Sequence, residues 1–148
     1  MPETSIADTV ALAADHAGYE LKATLAAILR ERGLTVLDLG TTSRESVDYP
    51  DFAAALAKAL KAGRATRGIL ACGSGIGMSI AANRHPGIRA ALCHDGLTAR
   101  LARQHNDANV LVLGGRLIGI ETARDCVETF LTTPFEGGRH ARRVAKLG

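Results

Sequence analysis

The chain has no tryptophan, and with two tyrosines and three phenylalanines the aromatics make up only 3% of its 148 residues. Platforms for stacking bases are therefore scarce. No long lysine or arginine run compensates, and the formal charge is a mild +3, so nucleic-acid binding is disfavoured. Three cysteines, Cys72, Cys93 and Cys126, are an odd number without CxxC spacing. They support neither a disulfide framework nor a zinc ribbon. No apolar run approaches the ~18 residues of a membrane span, and the N-terminal segment lacks the basic region and apolar core of a signal peptide. The expected setting is a reducing cytoplasm, with no membrane partner.

What is present is aliphatic. Hydrophobic residues reach 47% against 22% charged, and Ala, Leu, Val and Ile carry the packing, which suits helices laid on a parallel sheet. The length fits one domain over 1–148, without internal repeat, low-complexity tract or linker.

Thr9–Ala14 is an apolar run of strand length that ends at Asp15-His16-Ala17-Gly18. Leu21, Leu25, Ile28 and Leu29 then recur at helical spacing, and Gly33 stops that helix. Val36–Leu39 predicts a second strand. Pro50 suits the first turn of an alanine-rich helix reaching about Ala62. Ile69–Ala71 predicts a third strand, with a helix to about Asn83 behind the glycine loop. Arg89–Cys93 predicts a fourth, followed by a helix from about Leu97 to Gln104. Val110–Leu113 predicts a fifth, then a helix from about Glu121 to Leu131 and a short basic helix at about 138–147. This alternation predicts an α/β fold: a three-layer, doubly wound, Rossmann-like sheet of about five parallel strands.

In such sheets the functional loops lie beyond the strand C-termini. Asp15-His16, Cys72–Gly77, His94-Asp95 and Gly114–Arg116 all fall there. The richest of these is Cys72-Gly-Ser-Gly-Ile-Gly77. A strand would deliver Cys72 to the sheet's edge, and Gly73, Gly75 and Gly77 would let the backbone turn and offer N–H groups to an anion. The spacing G-x-G-x-G is neither the dinucleotide fingerprint nor a Walker loop. Ser74 adds a hydroxyl, either as a turn residue or as an oxyanion donor. Cys93 and Cys126 sit in apolar periodic settings and read as core thiols.

The remaining candidates each have two readings. Asp15-His16 is a helix N-cap with a surface histidine, or part of a crevice. His105 is a helix C-terminal cation, or a functional group within the polar His105-Asn106-Asp107 cluster. Arg139 and Arg143, four apart, share one helix face; they form a solvated basic tail or a clamp for a phosphate dianion.

With these residues laid out, the chain resembles the ribose-5-phosphate isomerase type B family, which also holds the galactose-6-phosphate isomerase subunits. The resemblance runs from about Val10 to Val144. It rests on Ala-Asp15-His16-Ala-Gly, Asp48-Tyr49-Pro50, Cys72-Gly-Ser-Gly-Ile-Gly77 and Ala81-Ala-Asn-Arg-His-Pro-Gly-Ile-Arg89. Arg103-Gln-His105-Asn106-Asp-Ala-Asn109 and Glu136-Gly-Gly-Arg139-His-Ala-Arg-Arg143 complete it, in order.

The resemblance implies an aldose–ketose isomerase of a phosphorylated sugar, with no metal and no organic cofactor. It makes Cys72 the base that moves a proton between C1 and C2 through an enediolate. The backbone amides of Gly73–Gly77, with the Ser74 hydroxyl, would hold the developing oxyanion. It assigns ring opening to His105, supported by Asp15, and places Asn106 beside the enediolate. Tyr49 joins the substrate-binding set, and Arg139 and Arg143 take the phosphate with His16 and Arg116 nearby. It further implies a homodimer, with a tetramer left open, whose sites lie between subunits, so that His105, Asn106 and Arg116 serve the partner's Cys72.

Two positions depart from the wider family. Ser74 stands where threonine is frequent, which keeps the hydroxyl. Met78 stands where a second branch has a glutamate base, which assigns this chain to the cysteine branch. The His105-Asn106 pair favours a pentose over galactose 6-phosphate. Expected substrates are therefore ribose 5-phosphate and ribulose 5-phosphate. Alternatives are allose 6-phosphate, a tetrulose 4-phosphate, or a phosphosugar-binding protein without turnover.

Overall fold

Side chains alternate along a strand, and here that alternation decides which helix covers which face. The structure, a computed structural model, describes residues 6–148; residues 1–5 of the expected domain lie outside it. After a 3-10 turn at Ile6–Asp8 come β1 (Thr9–Ala14), α1 (Tyr19–Glu31), β2 (Thr35–Asp38), α2 (Tyr49–Lys61), β3 (Arg67–Cys72) and α3 (Ile76–Ala82). They are followed by β4 (Ala90–Leu92), α4 (Gly96–Asn106), β5 (Val110–Gly114), α5 (Ile120–Thr132) and α6 (Arg139–Ala145).

Val10 and Leu12 of β1, Ile69 of β3, and Leu111 and Leu113 of β5 meet Leu25 and Leu29 of α1, Ala99 and Ala102 of α4, and Val127 and Phe130 of α5. The intervening residues, Ala11 and Ala13, Leu70 and Cys72, Val110 and Val112, meet Leu56 of α2 and Met78 of α3. The result is the expected three-layer α/β sandwich. No described helix is long and apolar enough to cross a membrane.

All strand pairs are parallel, and the sheet runs β2-β1-β3-β5-β4. The chain winds outward from β1 to β2, then returns to lay β3 on the other side of β1. The strand C-termini part at that reversal, which opens a crevice between the loops after β1 and β3. β5 is inserted between β3 and β4, so the loop after β5 also borders the crevice.

Two boundaries move in ways that bear on function. β3 begins at Arg67 and ends on Cys72 itself, because it pairs along its length with both β1 and β5. α4 runs past Gln104 to Asn106 before Asp107 turns left-handed (φ 47°) and closes it. His105 and Asn106 therefore belong to the last helical turn rather than to a connecting loop.

Candidate active site

Cys72 shares a sheet face with Leu70, is 5% exposed, and ends the central strand of the sheet. Its Sγ accepts the N–H of Gly75 at 3.1 Å. This bond depends on a left-handed turn at Gly75 (φ 80°), where a Cβ would collide with Leu92 and press on the Leu113 carbonyl carbon. Only glycine allows the amide to be folded back onto the sulfur. An N–H donor binds sulfur more strongly when the sulfur carries negative charge.

The loop differs from the expected row of outward amides. The Gly75 N–H is used by Cys72, and the Ile76 N–H donates to Ser74 Oγ at 3.2 Å. A short loop entering a helix satisfies its first donors internally. Gly75 thus serves the thiol rather than lining the cavity. The Ser74 hydroxyl, already accepting one bond, keeps its own proton to donate. At Gly77 the constraint is space: a Cβ would stand 2.6 Å from Tyr49 Cζ, so the Tyr49 ring rests directly on this glycine.

From the end of β1, Asp15 is buried, and its Oδ1 accepts from Ala17 N–H at 2.9 Å and Gly18 N–H at 3.1 Å. The helix cap is Gly18, so the N-cap reading of Asp15 gives way to a tight turn held by its carboxylate. His16 Nδ1 accepts the Val47 N–H at 3.2 Å, which leaves the proton on Nε2. From the end of β5, Gly115 N–H donates to Cys72 O at 2.8 Å and Arg116 N–H to Gly73 O at 2.9 Å. The Arg116 Nη1 lies 3.2 Å from where a Gly73 Cβ would stand.

These segments enclose an open cavity of about 340 Å³ lined by Asp15, His16, Tyr49 and Arg116 around Cys72, Gly73, Ser74 and Gly77, within the range of small-molecule sites. Arg116, expected to serve the partner's thiol, lines the pocket of its own Cys72, because β5 lies beside β3.

The other expected residues gather elsewhere in the chain. The His105 ring stacks on His140 with centroids 4.3 Å apart and planes at 13°. Glu136 Oε1 is 3.7 Å from Nε2 of each ring. Arg139 and Arg143 are exposed on the same helix as His140. Asn106 lines a separate cavity of about 390 Å³ with Asn83, Arg89 and Leu147. Within one chain none of these reaches the Cys72 cavity, so the expected support of His105 by Asp15 is not made there. Burial holds His140 below the ordinary histidine range, reinforced by the charges of His105 and Arg139 and opposed by Glu136.

Donor atoms of His105, Glu136 and His140 lie within 4.8 Å of one another. Lone pairs of imidazole lie in the ring plane, and the two rings are nearly parallel. Their nitrogens run side by side instead of converging on one ion as a tetrahedral site requires.

The remaining thiols are core groups. Burial pushes Cys93 up and Cys126 up to about 12, so both stay protonated near neutrality. Sequence reasoning overlooked Arg103, which is 5% exposed and anchors the turn after Asn106. The available signal was its i,i+4 spacing to Asp107, which the structure realises as an ion pair of 2.9 Å. Glu136 and His140 were quoted within a motif and given no role, although they too are four apart.

Residues 10–147 match the family model described as Ribose/Galactose Isomerase. Ribose-5-phosphate isomerase B of Escherichia coli is 48% identical over 138 residues, 93% of either chain. D-erythrulose-4-phosphate isomerase of Pectobacterium atrosepticum is 47% identical over 141 residues, 95% of this chain and 93% of its own. Among solved structures, ribose 5-phosphate isomerase of Thermotoga maritima superposes with a TM-score of 0.93 at 56% identity, covering 94% of this chain and 96% of the other. Ribose-5-phosphate isomerase B of Clostridium thermocellum also gives 0.93, at 52% identity and 95% coverage of both.

Proposed function

The chain belongs to the ribose/galactose isomerase family, and on that premise we propose that it interconverts ribose 5-phosphate and ribulose 5-phosphate with Cys72 as the base. The observation that carries this is the Gly75 N–H on Cys72 Sγ inside the crevice cavity. It holds a nucleophilic sulfur in place at the wall of the cavity.

The Cys72 thiolate takes the proton from C2 of the open aldose, and the electron pair moves through a C1–C2 double bond onto the carbonyl oxygen as an enediolate. The resulting thiol returns that proton to C1 while the O2 hydroxyl proton passes to O1, which leaves a C2 carbonyl and a C1 hydroxyl, and the ketose forms. The Ser74 hydroxyl, with the loop amides that remain turned outward, supports the oxygen charge. His105 opens the furanose ring by proton transfer, and Asn106 binds sugar hydroxyls. His16, Arg116, Arg139 and Arg143 hold the phosphate. None of these steps calls for a metal or organic cofactor.

Because His105 and Asn106 lie outside the Cys72 cavity of their own chain, the site is completed by a second copy in a homodimer. Ile76 and Ile80, 54% and 59% exposed one turn apart on α3, offer apolar surface beside the loop for that contact. A reducing cytoplasm, where the pentose phosphate pathway interconverts these sugars, suits a catalytic thiol.

The test is ribulose 5-phosphate formation from ribose 5-phosphate without added metal, wild type beside Cys72→Ala. A general base contributes about 10²–10⁴-fold, and a loss of that size is expected. Activity surviving in Cys72→Ala removes the thiol from the mechanism. A folded wild type that binds the sugar and does not turn it over is a binding protein. The erythrulose-phosphate relative at 47% identity favours a second reading in the choice of sugar alone. A panel of four-, five- and six-carbon phosphates, including allose 6-phosphate, decides between them.

A further inference from the structure

Asp107 is the one non-glycine residue with positive φ among the described residues (φ 47°, ψ 43°). Glycine is the usual residue at this point of a helix C-terminus, so an aspartate here must offer something in exchange for the strain. It is gripped from two sides. Arg103 Nη1 donates to Asp107 Oδ1 at 2.9 Å and to Ala108 O at 2.6 Å. Arg89 Nε donates to Asp107 O at 2.8 Å, and its Nη2 to Oδ2 at 3.4 Å. Both carboxylate oxygens and the main-chain carbonyl are thus held.

The grip sits directly after His105 and Asn106. Asp107 ends α4, its N–H reaching Arg103 O at 3.3 Å, and the point where a helix ends fixes the direction of the side chains in its last turn. Arg103 also ties this turn to the segment that leads into α6. Its Nε donates to Thr133 O at 3.1 Å, and Glu136 N–H donates to Gln104 O at 3.1 Å.

We propose that Asp107, held by Arg103 and Arg89, is a positioning residue that aims the His105 ring from the last turn of α4. The inference rests on the reading of His105 as the ring-opening group given under Proposed function. Asp107 touches no substrate; it acts through His105. A misplacement of about 1 Å can cost on the order of 10²-fold in rate.

Glycine at 107 relieves the backbone and removes the grip, which separates the two roles. The experiment compares wild type, Asp107→Gly and Asp107→Asn in two assays. One is isomerisation of ribose 5-phosphate, whose furanose ring must open. The other is deuterium wash-in at C1 of ribulose 5-phosphate, which has no ring because its O5 carries the phosphate. The second assay reports the thiol chemistry without ring opening.

Asp107→Gly is expected to melt close to wild type, to lose roughly tenfold or more in isomerisation, and to lose under about threefold in exchange. Asp107→Asn, which tolerates the left-handed turn and keeps an oxygen for Arg103, recovers part of the loss. Isomerisation and exchange falling in the same proportion, or neither falling, overturns the proposal. If wild type turns over no phosphosugar, the functional reading fails on its own. The positioning is then read from the His105 imidazole signals in ¹⁵N-edited NMR: a change in Asp107→Gly supports it and unchanged signals overturn it.

Discussion

At the Cys72 pocket the main chain does the positioning: an amide of Gly75 on the sulfur, the Gly115 and Arg116 amides on the carbonyls of Cys72 and Gly73, and a ring resting on Gly77. Around His105 side chains do it, through a stacked histidine, a carboxylate within 3.7 Å, and two arginines on one aspartate. The difference follows from place. The pocket hangs on the ends of the three inner strands, β1, β3 and β5, whose ladders fix backbone atoms. The His105 turn lies at a helix end against a loop, with no ladder to hold it, so charges must. A site whose backbone is packed this closely is sensitive to any added atom; a site held by charges is sensitive to the loss of a partner.

The largest effect that can break this comparison is subunit complementation. Cys72→Ala and His105→Asn are each expected to be inactive alone. Mixed and reassembled, half the dimers are hybrid and carry one intact site each, so about a quarter of wild-type activity returns for a two-fold dimer. No recovery means that the two regions do not meet across an interface.

Next in size is Gly77→Ala. Its methyl must displace the Tyr49 ring, costing about 1–3 kcal/mol as an overpacked contact. Urea denaturation should show that loss, with KM raised for the sugar phosphate because Tyr49 lines the cavity. Unchanged stability and KM would mean that the pocket yields easily.

The smallest effect is a pH slope that arises in the second region. The folded-state pKa of His140 lies below its value of 6.5 in the open chain. As pH falls through that value, the unfolded chain takes up a proton that the folded chain declines, so stability decreases toward acid and levels off below the folded pKa. Urea midpoints from pH 8 down to pH 5 check this, and His140→Gln should flatten the slope.

Much of this was legible in the chain itself. Gly33, expected to end the first helix, does so with φ 81° and its N–H on Arg30 O. Pro50 stands in the first turn of α2. The Cys72 loop stood out because glycine at alternate positions after an apolar run has few other uses. Less legible was which amide does what: glycine spacing shows that a loop turns, not that Gly75 turns inward to the sulfur. Arg103 and Asp107 looked like any exposed i,i+4 pair, since nothing local reveals that the arginine is buried.

By itself the sequence determined the alternation of strands and helices, the α/β fold and the thiol at a strand end. These depend on periods of 2 and 3.6 and on the backbone freedom of glycine and proline, which are local properties. Only the tertiary structure decided that β5 lies between β3 and β4, and hence that Arg116 borders the Cys72 cavity while His105 turns instead to His140. Pairing between segments tens of residues apart leaves no periodic trace in either segment. It is settled when the sheet assembles and each buried charge takes the partners within reach.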